Sequence, residues 1–122
     1  MFNLILVASG GALGAVLRYL LTYINKTLFV SSIYGTISVN IIGSFLIGYF
    51  ITSNFSNNLP ENFIKFFLII GLLGSFTTFS AFSYEVVDLL NSKKYVTSFT
   101  YIFISIFICI MSAYMGTLLN KF

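Results

Sequence analysis

The 122-residue sequence contains no histidine, no tryptophan, one cysteine and one proline, and only 7% of its residues are charged. A chain without histidine and with a single cysteine cannot build the usual ligand clusters for zinc, nor an intrachain disulfide. Its acidic residues are Glu61, Glu85 and Asp88, and they lie at or near the ends of apolar runs. The composition therefore lacks a catalytic constellation, and it predicts that the chain is not an enzyme.

Apolar residues dominate what is present. They make up 58% of the sequence, and the mean hydropathy is +1.00. A soluble domain of this size cannot bury so much apolar surface, so we predict an integral membrane protein with one transmembrane domain over residues 1–122. The six basic residues are spread along the chain, mostly in loops, and predict contact with lipid, not with nucleic acid. The first apolar run has no basic segment before it and no cleavage site, so we expect a retained helix.

Four apolar runs predict four transmembrane helices, at about 4–24, 32–53, 63–90 and 95–119. As one straight helix the third run would be roughly 42 Å long, whereas the hydrocarbon core of a bilayer is about 30 Å thick. Its centre, residues 71–85, carries two glycines and five hydroxyl residues where an anchor would carry leucine. We therefore expect this helix to be broken mid-membrane near residues 74–78. Unwound backbone at that depth must be buried in protein or line a wet path.

Polar residues on the other three helices recur at helical spacing, so each set shares one face. Arg18 is the only basic residue well inside a span, and it fits either snorkelling to the interface or a bond to neighbouring carbonyls. Asn40 fits either an interhelical hydrogen bond or a pore-lining donor. The three sets are Gly11, Gly14, Arg18, Thr22 and Asn25; Thr36, Asn40, Ser44 and Gly48; and Ser98, Tyr101, Ser105, Cys109, Ser112 and Gly116.

The loop charges favour neither orientation. Lys26, Lys93 and Lys94 lie on one side, and Lys65, Lys121 and the amino terminus lie on the other, so three positive charges face each way. Without a bias from the positive-inside rule, the chain is expected to insert both ways round. Four short helices cannot enclose a path alone, and two copies can pair to cover the glycine faces. We predict an antiparallel, dual-topology homodimer.

Three segments, in this order, resemble the Fluc/CrcB family of fluoride channels: GGALGAVLRY at 10–19, GTISVNIIGSF at 35–45 and GLLGSFTTFSAF at 71–82. Length, helix count and charge balance agree with that family over the whole chain. The resemblance implies a passive fluoride-selective channel with two pores per antiparallel dimer. Such a channel lowers cytoplasmic fluoride as a multi-pass protein of the prokaryotic plasma (inner) membrane.

The resemblance also implies roles for individual residues. Gly74 and Thr77 match the positions whose backbone carbonyls hold a structural sodium ion, which is not transported. Glu85 and Arg18 are assigned to the vestibule. The chain departs from the family pattern at Ser75, Ala81 and Cys109. The predicted fluoride pathway consists of Phe79, Phe82, Asn40, Ser80, Thr36, Tyr101, Ser105 and Cys109.

Two other functions are compatible with the helix count. A small dual-topology multidrug or cation exporter is also a four-helix dimer, but it requires a membrane-embedded carboxylate on its first helix. Here that helix carries Arg18 and no acidic residue. A non-transporting membrane scaffold would explain the glycines as packing, but it would not require aligned hydroxyl stripes on two helices.

Overall fold

A computed structural model describes residues 1–29, 31–53 and 59–120, and its regular elements in these ranges are helices. Helix α1 is Phe2–Phe29 and α2 is Ser32–Thr52. Helix α3 is π-helical over Phe63–Leu73 and α-helical over Gly74–Phe76; α4 is Phe79–Asn91 and α5 is Tyr95–Leu118. Counting α3 and α4 as one span, four stretches are long and apolar enough to cross a membrane. The prediction of an all-helical protein with four membrane-capable helices is confirmed.

Helix α1 extends five residues beyond its predicted end at residue 24, to Phe29. No glycine or proline interrupts this stretch. Its polar side chains bond to the preceding turn, with Asn25 Nδ2 donating to the Leu21 carbonyl over 2.9 Å and Thr27 Oγ1 to the Ile24 carbonyl over 2.7 Å. Within the predicted loop at 25–31, residues 25–29 are therefore helical. The predicted turn at 54–62 lies mostly outside the described residues.

The turn between α4 and α5 is closed by backbone hydrogen bonds. Lys93 N–H donates to the Leu90 carbonyl over 3.0 Å, and Lys94 N–H donates to the Leu89 carbonyl over 2.9 Å. This pair of bonds is the Schellman motif, which requires a left-handed residue after the helix end. Lys93 takes that place with φ 58°, although glycine would adopt it without steric strain.

Glycines allow helix backbones to touch along two seams. In the α1–α3 seam, the Cα atoms of Gly10 and Gly14 lie against the carbonyl oxygens of Phe67 and Leu72, so a side chain there would collide with backbone. In the α2–α5 seam, Gly48 lies against the Ala113 carbonyl and Gly116 against the Phe45 carbonyl. Close approach of small residues is the main source of packing energy between helices in lipid, where apolar burial gives no driving force.

The third span changes neighbours part-way along. Its first half, α3, packs mainly on α1, and its second half, α4, packs on α5 and α2. The core beside α4 is built around Phe82, Leu89 and Tyr101. The change occurs between Phe76 and Phe79, and this is where the polar side chains of α2 meet the backbone of the third span.

Candidate functional site

Two residues with extended backbone separate α3 from α4. Thr77 has φ −77° and ψ 155°, and Thr78 has φ −148° and ψ 118°. We call Thr77–Thr78 the extended pair. Thr77 still belongs partly to the preceding turn, since its N–H and its Oγ1 both donate to the Leu73 carbonyl, over 3.1 and 3.0 Å. The polar backbone groups that follow must find partners elsewhere.

Asn40 of α2 supplies the partners for the Thr78 peptide groups. Its Nδ2 donates to the Thr78 carbonyl over 3.0 Å, and its Oδ1 accepts from the Thr78 N–H over 2.8 Å. Gly43, one turn along α2, lies against the Thr77 methyl group, which lets α2 approach the extended pair closely. Of the two roles that the sequence left open for Asn40, the interhelical bond is therefore present, made to backbone.

The hydroxyl of Thr78 begins the next helix. Its Oγ1 accepts from the Ala81 N–H over 3.1 Å and lies 3.2 Å from Ser80 Oγ. A threonine at this N-cap position satisfies one of the donors that the first turn of a helix leaves free. Thr78 is buried and is not among the predicted site residues. The available signal was a threonine three residues before Ala81 at the start of an apolar helical run.

The Thr78 N–H bonds to Asn40, and the Ala81 N–H bonds to the Thr78 hydroxyl. Two carbonyls therefore lack the donors that they would have in a continuous helix. In a continuous α-helix Thr78 N–H would donate to the Gly74 carbonyl and Ala81 N–H to the Thr77 carbonyl. Among the described residues no hydrogen bond to either carbonyl is present. Gly74 is exposed, and a Cβ placed on it would have only the Ile69 carbonyl oxygen nearby, at 3.7 Å. Hard cations bind carbonyl oxygens of this kind, so the donor set fits the predicted sodium ligands.

A first cavity, of about 250 Å³, opens on the α5 side of the extended pair. It brings together five predicted pathway residues on three helices, and the rings of Phe79 and Phe82 lie with centroids 5.4 Å apart. None of the described residues that line it is charged. Its lining is Asn40, Ser44, Ile47, Thr77, Thr78, Phe79, Phe82, Ser105, Ile106 and Cys109.

Ser105 contributes an unused hydroxyl to this cavity. The residue is only 7% exposed, and its Oγ makes no hydrogen bond of good geometry within the described part of the chain. A buried hydroxyl without a partner is unfavourable by about 1–3 kcal/mol. Ser44, on the facing helix, was recognised in the polar stripe of α2 but not as a pathway residue, and it lies in the same lining.

Thr36 and Tyr101 are placed differently from the other pathway residues. Thr36 Oγ1 donates to Glu85 Oε1 over 2.8 Å, and the Tyr101 hydroxyl donates to Glu85 Oε2 over 2.6 Å. All three side chains are buried, with Glu85 7% exposed. The cluster adjoins the first cavity through Phe82, whose ring centroid is 5.2 Å from that of Tyr101. We call Thr36, Glu85 and Tyr101 the carboxylate cluster.

A second cavity, of about 490 Å³, lies on the α1 side of the extended pair. It holds Arg18, and it also holds Ser80, which turns away from Phe79 and Phe82. Glu85 does not line it, so the two residues assigned to the vestibule lie in separate places. Thr78 lines both cavities and forms the wall between them. The lining is Ala15, Arg18, Tyr19, Thr22, Thr78, Ser80, Ala81 and Tyr84.

The sequence profile described as "CrcB-like protein, Camphor Resistance (CrcB)" matches residues 5–117. The chain belongs to the CrcB family. Three bacterial relatives are each named "Fluoride-specific ion channel FluC". The protein from Flavobacterium psychrophilum is 44% identical over 116 residues, which is 94% of both chains. Those from Shewanella loihica and Campylobacter jejuni are 42% and 40% identical over 118 and 120 residues, covering 95% and 98% of this chain and 94% and 98% of the relatives.

CrcB membership and the four membrane-capable helices identify a multi-pass prokaryotic membrane protein. The family resemblance expected from the three sequence segments is thereby confirmed. The relatives are named as ion channels, which agrees with the expectation that the chain is not an enzyme. The individual residue roles remain predictions.

Proposed function

We propose that this CrcB-family chain forms a passive, fluoride-selective channel that lets fluoride leave the cytoplasm down its gradient. The observation that carries the proposal is the first cavity, which presents uncharged donors beside the rings of Phe79 and Phe82. The relatives named as fluoride-specific channels, similar over nearly their full length, support the same ion.

A conducted fluoride ion would exchange its hydration shell for weak hydrogen-bond donors. Fluoride leaving water needs hydrogen-bond donors, and Asn40, Ser44, Ser105 and Cys109 carry neutral ones along one cavity wall. The positive edge of an aromatic ring adds a further weak attraction. A fixed cation would hold the anion, whereas conduction requires that it leave as readily as it enters. The first cavity has donors without such a charge.

We propose that two chains assemble antiparallel, giving two such paths. The first cavity supports an assembly because Phe79, one of its lining residues, is 76% exposed in a single chain, which leaves the path open on that side. A partner chain would cover this ring and would complete a path that is open on one side in a single chain. The exposed Gly74 and the break at the extended pair, which we place at mid-membrane depth, would lie at the same contact.

A structural sodium ion fits this arrangement. The Gly74 and Thr77 carbonyls would hold it, since neither accepts a hydrogen bond within the described residues. When bound, the ion supplies a fixed positive charge that offsets the carbonyl dipoles meeting there. Sodium is then a component of the assembly, and fluoride is the conducted ion.

Efflux from liposomes tests the function directly. Purified protein is reconstituted, the liposomes are loaded with potassium fluoride or potassium chloride, and release is followed with an ion-selective electrode after valinomycin is added. Fluoride should leave rapidly and chloride at the rate of protein-free liposomes. Equal rates for the two anions would overturn the proposal, and so would fluoride release no faster than from empty liposomes.

The aromatic lining is tested by Phe82→Ile with Phe103→Ile as the matched control. Phe82 lines the first cavity, whereas Phe103 lies on the outer face of α5 and is 72% exposed. Loss of the ring edge should slow fluoride efflux about tenfold, near the upper end of aromatic edge interactions. The dimer should remain assembled in both variants. Unchanged flux in Phe82→Ile would remove this ring from the mechanism.

A further inference from the structure

The free Gly74 and Thr77 carbonyls have a specific cause. The two N–H groups that would occupy them in a continuous helix are both held by side chains: the Thr78 N–H by Asn40 Oδ1 and the Ala81 N–H by Thr78 Oγ1. Each N–H is thereby held away from the carbonyl that would accept it in a continuous helix.

We propose that Asn40 is a positioning residue that acts through the Thr78 peptide, keeping the Gly74 carbonyl free to bind the cation. The inference rests on the proposed sodium site and deepens it. Thr78, through its hydroxyl, performs the same task for the Thr77 carbonyl.

Asparagine suits this position because the Thr78 peptide presents one donor and one acceptor. The planar Asn40 amide has one of each: its Oδ1 accepts from the Thr78 N–H over 2.8 Å, and its Nδ2 donates to the Thr78 carbonyl over 3.0 Å. Serine could satisfy one of them, aspartate could accept but not donate, and leucine could do neither. The extended φ and ψ of Thr78 turn its N–H and carbonyl towards α2.

The bonds to Thr78 restrict what Asn40 can offer an anion. Its Oδ1 and one of the two N–H groups on Nδ2 are engaged with Thr78, so a single N–H remains for the first cavity. A role as anion donor alone would not need the second bond, through Oδ1. A positioning role and an anion-donor role for Asn40 therefore predict different hydrogen-exchange rates for the Thr78 N–H when Asn40 is replaced.

Amide hydrogen exchange of the assembled protein in lipid nanodiscs, followed by mass spectrometry of peptides that cover residues 74–82, reports on that amide. In Asn40→Ala the Thr78 N–H should exchange faster by about tenfold, since two hydrogen bonds to the segment are lost. The matched control is Ser44→Ala, because Ser44 lies on the same helix and in the same cavity lining but makes no hydrogen bond to the extended pair among the described residues. Exchange in Ser44→Ala should equal that of the unmodified chain.

Asn40→Asp keeps an oxygen that can accept from the Thr78 N–H, and it serves as the conservative variant. Its Thr78 N–H should remain protected, whereas the bond to the Thr78 carbonyl is lost. Equal Thr78 exchange in Asn40→Ala and the unmodified chain would overturn the proposal. This readout does not measure fluoride conduction, so it separates a failure of the proposed Asn40 positioning role from a failure of the proposed channel.

A sodium titration tests whether the hydrogen bonds between Asn40 and Thr78 affect cation binding. Dimer content in detergent is measured against sodium concentration, with choline as the replacement ion. In Asn40→Ala the unheld Thr78 N–H can compete with sodium for the Gly74 carbonyl without being stably bonded to it, so the midpoint should rise about tenfold, and high sodium should restore the dimer. Thr78→Val should shift it in the same direction and Thr78→Ser should not. A loss of dimer that sodium does not restore would indicate general destabilisation and would overturn this step.

Discussion

The α1–α3 seam and the region around the extended pair bury backbone in opposite ways. In the seam, Gly10 and Gly14 bring two helices into direct contact, and no side-chain hydrogen bond between α1 and α3 appears among the described residues. Around the extended pair, helical bonding is interrupted and side chains of α2 replace it. Small residues therefore supply packing where these helices are intact, whereas polar side chains accumulate where helical hydrogen bonds are missing.

The hydroxyl residues fall into two groups according to where their hydrogen-bond acceptors lie. Several bond only to a carbonyl one turn earlier in their own helix, as membrane-helix hydroxyls commonly do. Thr36 and Tyr101 instead bond across helices to a buried carboxylate, and Ser112 Oγ bonds to the Ile41 carbonyl over 2.9 Å. The presence of a hydroxyl on a polar stripe therefore does not establish its role. The self-bonded group includes Ser9, Thr22, Ser38 and Ser83.

The largest expected effect comes from blocking the seam. In Gly14→Leu, the new side chain would collide with the Leu72 carbonyl, which belongs to backbone and cannot turn aside. Overpacking of this kind destabilises by about 1–3 kcal/mol or more. We expect little or no folded protein in size-exclusion chromatography.

The control for the seam is Ala12→Leu, which adds a leucine to the same helix at an exposed position. It should give a normal yield of folded protein. Equal yields of Gly14→Leu and Ala12→Leu would show that the close contact is dispensable and that the comparison between seam and interruption does not hold.

The glycine seam was accessible from sequence, whereas the mid-membrane break of the third helix stays a prediction. Gly10 and Gly14 stand four residues apart, and that spacing places small residues on one face of any helix. The extended pair lies within the range 74–78 where glycine and hydroxyl residues predict the break, and α3 and α4 are joined there in one span. Both signals depend on residue type and spacing along one helix.

The partners of the polar side chains were not accessible in this way. Periodicity puts Thr36 and Tyr101 on polar stripes, but it does not reveal that both donate to Glu85, which belongs to a third helix. Ser80 shares its segment with Phe79 yet faces the second cavity, because one residue along a helix turns a side chain by about 100°. Such outcomes depend on how helices cross, and a single sequence does not fix that.

A smaller effect is expected from Tyr101→Phe, which tests a buried hydrogen bond between helices. The change removes the donor to Glu85 Oε2 and leaves a buried carboxylate oxygen without its partner. The penalty for an unpartnered buried group is about 1–3 kcal/mol. We expect a lower thermal midpoint of the reconstituted protein and fluoride efflux reduced severalfold.

The matched control is Tyr114→Phe on the same helix, where the side chain is 55% exposed. It should leave both measurements unchanged.

A double-mutant cycle that combines Tyr101→Phe with Thr36→Val asks whether the two hydroxyls act through one carboxylate. Strictly additive effects would argue that they do not, because residues that share a partner are expected to couple.

The smallest effect is expected at Cys109, which lines the first cavity. A thiol is a weaker hydrogen-bond donor than a hydroxyl. Cys109→Ser should therefore raise fluoride efflux by about two- to threefold, the equivalent of a fraction of one hydrogen bond. Cys109→Ala also creates space but removes the donor, so it should lower efflux. If both variants change flux in the same direction, the volume at this position matters and its donor does not, which would weaken the account of conduction through exchanged donors.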